Sequence, residues 1–194
     1  MLANVEAGAH PIRAMTTATP THRTAMAHHL HLFAGHPEVL RRYAEITPRV
    51  RLYRLTPGAE LAALPLSDDV HDALHKAYGT GEWAETVRLT TADMGFAAET
   101  SRRGPLAYLE TDYFGGTGLQ AAAAWVGGAL ALRPIQMARE QGQGRSSATW
   151  PINAALRLLG LVARPGLDAF DTFGLGRFRS VETIEVGAAP VRFG

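Results

Sequence analysis

Polar and apolar positions alternate from His28 to Ala34 (HHLHLFA), the pattern of a half-buried strand that ends at Gly35. Pro37 then opens PEVLRRYAEI, where Val39, Leu40, Tyr43 and Ile46 fall on one helical face, and Thr47-Pro48 closes it. A second strand is expected around Val50–Arg54. A third is expected at 60–66 (ELAALPL), where Pro65 favours a sheet edge. Ser67 is placed to cap a helix with Asp68 and Asp69 in its first turn and an apolar stripe of Val70, Ala73, Leu74 and Ala77, ended by Gly79. Thr91 caps the next helix, over Ala92–Thr100.

The densest patterning lies between Pro105 and Ile135. Leu106–Thr111 predicts a strand buried on both faces. Gly118–Val126 and Ala129–Ile135 predict two more, joined at Gly127-Gly128, a two-residue hairpin signal. The small residues Ala121–Ala124 require something to pack closely over the middle strand. Residues 137–149 are polar and Gly-containing and predict a loop; Pro151 opens a helix running to Leu161. The tail DAFDTFGLGRFRSVETIEV mixes aromatics with Gly and Arg, and reads as ordered loop with a short helix or strand after Ser180. Residues 1–25 show no period and are expected to be a disordered extension, with Met26 as the native start. The elements sum to one α+β domain over 26–194, a mainly antiparallel sheet with helices on one side.

Composition adjusts this picture only at a few points. The 194 residues suffice for one core, and net charge +1 gives no electrostatic case for nucleic acid or an anionic membrane. Charge is uneven: residues 55–136 hold ten acids against five bases, whereas 1–54 hold seven Arg against three acids. The acidic middle is a candidate face for a basic partner. Absence of Cys excludes disulfides and thiolate metal sites, and a cytoplasmic setting is expected. Lys76 as the sole lysine, with abundant Ala, is the composition of a GC-rich bacterial genome. Twenty uncharged residues separate Asp112 from Arg133, but five are Gly, and hairpin strands explain the run better than a membrane span.

Four patterns have chemical content. His71 and His75 stand at i, i+4 on a helix, the spacing of a zinc-binding pair; Asp72 sits where a general base would, and a third ligand would have to be an acid. The expected reading is nonetheless boundary residues of an amphipathic helix, with no metal. His29 and His31 share a strand face with a spacing that could ligate metal, but are expected as a polar outer surface. Gly116-Thr-Gly118-Leu-Gln-Ala121 fits a loose dinucleotide fingerprint, but Glu110 and Asp112 would repel a pyrophosphate and the next Gly-Gly turn comes too soon for a crossover helix. No cofactor is expected. Glu110 and Asp112 point to the same side about 7 Å apart along a strand. That suits an acid–base pair, with Glu99 a further candidate, or salt bridges to Arg177 or Arg179. Tyr113, Phe114, Trp125, Trp150, Phe173 and Phe178, with the two arginines, are types enriched in protein interfaces.

The segments AYLETDYFGGTGLQAAAAW, WPINAALRLLG and DAFDTFGLGRFRS resemble a family of small bacterial proteins with an acidic strand end, an aromatic-Phe-Gly-Gly-x-Gly-x-Gln turn, a Pro-[Ile/Val]-Asn helix and a Gly-Leu-Gly tail. The match spans roughly residues 50–180. The style is that of immunity partners in polymorphic toxin systems. The resemblance implies an α+β fold that neutralises a toxin by stoichiometric binding. It marks Phe114, Gly115, Gly116, Gly118, Gln120, Trp150, Asn153 and Gly174 and supplies no catalytic role. The expected function is therefore non-enzymatic protein binding. The expected contact residues are Glu110, Asp112, Tyr113, Phe114, Gln120, Trp150, Asn153, Arg177 and Arg179. The alternative is a small hydrolase or metal-assisted enzyme using Glu110 and Asp112 with a histidine.

Overall fold

The computed structural model describes residues 27–84, 87–114, 117–139 and 149–193. The extension expected over 1–25, the start at Met26, Gly115 and Gly116 of the expected turn and residues 140–148 of the expected loop lie outside them, while 137–139, expected in that loop, are strand. Seven strands form one antiparallel sheet. In chain order they are β1 (His28–Gly35), β2 (Tyr53–Arg54), β3 (Ala62–Pro65), β4 (Leu106–Phe114), β5 (Thr117–Val126), β6 (Ala129–Arg139) and β7 (Ala189–Pro190). Their spatial order is β6-β5-β4-β1-β3-β2-β7. The helices are α1 (Pro37–Ile46), α2 (Asp68–Tyr78), α3 (Thr91–Thr100), α4 (Pro151–Leu158), α5 (Ala169–Phe173) and α6 (Val181–Gly187).

The helices cover both faces of the sheet, not one. Strand alternation sends Leu30, Leu32, Leu109, Ala122 and Ala124 into a core with Ile152, Leu156 and Phe173 of α4 and α5. It sends Phe33, Leu64, Tyr108, Ala123 and Trp125 into a second core with Leu40, Tyr43, Val70, Leu74 and Ala97 of α1–α3. With both faces covered, β4 is buried from Leu106 to Thr111, as its continuous apolar run requires, and continues to Phe114. The alanines of β5 admit α4 on one side and the α3 layer on the other, because a larger side chain would hold either layer off the sheet.

β3 is internal, between β1 and β2, contrary to the edge position expected from Pro65. The proline is tolerated because it is the last residue of the strand, opposite Leu32. The Gly127-Gly128 hairpin forms as expected. Both residues have positive φ (60° and 88°), which a turn of the right hand for twisted strands demands. β6 is one edge of the sheet. No helix among the described residues is long and apolar enough to cross a membrane.

Candidate functional site

β1 and β4 are paired so that His31 lies opposite Glu110 and His29 opposite Asp112. All four side chains belong to the α1–α3 face, at the end of the sheet that the helices leave open. The loop between α2 and α3 brings Arg88 over them. Glu110 is buried and engaged at both oxygens: its Oε2 accepts from the Arg88 backbone N–H at 2.9 Å and from the Tyr108 hydroxyl at 2.9 Å. Its Oε1 lies 3.4 Å from Arg88 Nε. Arg88 Nη1 also reaches His29 Nε2 at 3.2 Å, and His29 Nδ1 stands 3.7 Å from the exposed Asp112 carboxylate. A continuous polar chain thus runs Tyr108–Glu110–Arg88–His29–Asp112. Neither acid pairs with Arg177 or Arg179. Glu99, on α3, faces Arg42 of α1 at 3.8 Å and takes no part.

Beside this chain is a cavity of about 290 Å³, lined by His29, His31, Ser67, Asp68, Arg88, Val181 and Glu182. The N-terminal end of α6 is drawn to it because the His29 N–H donates to the Arg179 carbonyl at 2.7 Å. Burial, then the neighbouring charges of His29 and Arg88, push the His31 imidazole down to about 4, so it is neutral near pH 7. His31 Nδ1 has no hydrogen-bond partner among the described residues.

Next to the cavity α2 turns His71 and His75 inward toward Asp93 of α3, a residue 1% exposed. Thr90 caps α3, one residue before the Thr91 expected, in a reciprocal box. The Asp93 N–H donates to Thr90 Oγ1 at 3.2 Å, and Asp93 Oδ2 accepts from the Thr90 N–H at 2.7 Å and hydroxyl at 2.9 Å. Tyr78 donates to Asp93 Oδ1 at 2.6 Å. His71 Nε2 and His75 Nε2 approach Oδ2 at 3.3 and 3.1 Å. Burial alone pushes the Asp93 carboxyl up. The hydrogen bonds from His71, Tyr78, Thr90 and His75 together outweigh it and hold the group well below the usual carboxylate range. Trp83 packs over both imidazoles, 5.8 and 6.3 Å between ring centres, yet remains 62% exposed.

The contact residues expected from sequence divide between the two faces. Glu110, Asp112 and Phe114 share the α1–α3 side; Phe114, at the end of β4, is 67% exposed. Tyr113 and Gln120 face the α4–α5 layer, where Tyr113 meets the His28 ring edge-on. Trp150 is buried at the start of α4. Asn153 holds α5 by accepting from the Phe170 N–H at 2.8 Å and donating to Asp168 at 3.2 Å. Arg177 donates to the Leu55 carbonyl, and Arg179 lies beside the start of α6. Arg88 and Asp93 were missed. The Thr90-x-x-Asp93 spacing is a capping-box signal that identifies Asp93; nothing local marks Arg88, which meets Glu110 across 22 positions. The loose dinucleotide fingerprint ends inside β5, with no helix after the glycines.

Compared with protein-family models, with curated proteins and with solved structures, the chain matches none.

Proposed function

We propose that the protein acts by binding a protein partner through the open end of the sheet, in the manner of an immunity-type or regulatory protein, with no chemical turnover. The observation that carries this is the contrast between the acids and the aromatics there. Both carboxylate oxygens of Glu110 are already held by Arg88 and Tyr108 as a link within the fold, which argues against the hydrolase alternative. Trp83, over the α2 histidines, and Phe114, on the same sheet face as Asp112, are both largely exposed, and exposed aromatics near an Arg-bearing loop have the composition of an interface hot spot. With Arg88 paired to Glu110, the remaining charges here, Asp68 and Glu182 at the cavity and Asp112 beside His29, are acidic and favour the approach of a basic partner.

The test is capture from the native host with immobilised full-length protein, followed by mass spectrometry. One partner retained in stoichiometric amount is expected. Recovery of no stoichiometric protein would overturn the reading.

A further inference from the structure

We propose that His71 Nε2, His75 Nε2 and the Asp93 carboxylate form a three-ligand site for a divalent transition metal of the zinc class. The donor atoms of these three residues all lie within 4.8 Å of one another. Their chemistry, two imidazoles and one carboxylate, suits zinc and its neighbours better than calcium or magnesium.

Both imidazole Nε2 atoms converge on the Asp93 carboxylate at separations a shared ion would require. Thr90 holds Asp93 Oδ2 through its N–H and hydroxyl, His71 approaches the same oxygen, and His75 Nε2 stands between the two oxygens, 3.2 Å from Oδ1 and 3.1 Å from Oδ2. The Thr90 contacts, at 2.7 and 2.9 Å, are good hydrogen bonds; the histidine contacts, at 3.3 and 3.1 Å, are longer. Those longer separations match the edge of a metal tetrahedron, about 3.3 Å for bonds of about 2.0 Å. The i, i+4 placement on α2 is what puts both Nε2 atoms on one side, with ring centres 4.0 Å apart. Thr90 and Tyr78 would then act as the groups that orient a ligating carboxylate. The histidine side chains are 18% and 11% exposed, so one side of the site is reachable from solvent under the Trp83 ring. The remaining coordination position would take water or an external donor. A bound ion would tie α2 to α3 and fix the imidazoles on which Trp83 rests.

Chelator-treated full-length protein titrated with zinc by calorimetry tests this, with cobalt(II) absorption as a second readout that needs no variant. Expected are one saturable site and the intense visible bands of tetrahedral cobalt. Affinity should fall at least about 100-fold in His71→Ala and in His75→Ala, since even outer-shell losses cost 10–100-fold. His36→Gln, on the exposed cap of α1, should bind as the parent does. No saturable binding, a weak octahedral cobalt spectrum, or binding that survives both alanine variants and vanishes in His31→Gln would each overturn the proposal.

Discussion

A methyl group added at Gly118 would stand 2.0 Å from the Asp112 carbonyl oxygen, on a backbone with φ of 142°. The strand pairing that positions Asp112 and Phe114 therefore depends on glycine at this position. Gly118→Ala is expected to lose more than about 2 kcal/mol, read as a lowered urea midpoint. Gly95 is the control. It is exposed within α3 and an added Cβ meets nothing within 4 Å, so Gly95→Ala is expected to gain about 0.5–1 kcal/mol. His31 gives the pH dependence. Its folded pKa, about 4, lies below the ordinary histidine value, so the unfolded chain binds more protons between the two. Its contribution is complete above about pH 6.5 and is lost as pH falls toward 4, with a slope of at most about 1.4 kcal/mol per pH unit. His28, also lowered chiefly by burial, acts in the same direction. Thermal melts of His31→Gln across this range should show a shallower acid slope than the parent; an unchanged slope would remove His31 from the account.

At the scale of elements, the short side chains of β5 are the condition for a layer on each face. Ala122 lies beneath α4 with no exposure. Ala122→Leu is expected to destabilise by about 1–3 kcal/mol through overpacking, measured by chemical unfolding. The sequence makes the strands β1, β4, β5 and β6 legible because each is long enough to show a period or an unbroken apolar run. The same holds for α1 and α2, whose stripes and end signals agree. The strand expected around Val50–Arg54 shortens to Tyr53–Arg54 of β2, which is held by β3 and β7, whereas β7, two residues long, has no period to read and exists only through its pairing with β2. The five-residue α5 is hidden for a similar reason: Asp168 caps it and Gly174 ends it in the left-handed region, inside a stretch too short for a stripe. The sheet order is invisible locally, which is why Pro65 suggested an edge and one helical layer was expected where two exist.

At the scale of the molecule, the two cores divide the functional candidates. Residues adjacent in sequence, such as Asp112, Tyr113 and Phe114, alternate between faces, so the aromatic-acidic turn that dominates the sequence does not form one surface. The surface at the open end is assembled instead from β1, β4, the start of α2 and the loop bearing Trp83 and Arg88. Only the β4 part of it was expected as a contact surface; the histidines of β1 and α2 were expected as a polar outer face and a helix boundary. Its other essential pairings, Arg88 with Glu110 and the α2 histidines with Asp93, span about twenty residues and need the tertiary fold. Hydrogen exchange on the purified complex with the captured partner tests the central claim most directly. Protection is expected around Trp83, Arg88 and 112–114. Protection confined to the α4–α5 layer or to the β6 edge would contradict it.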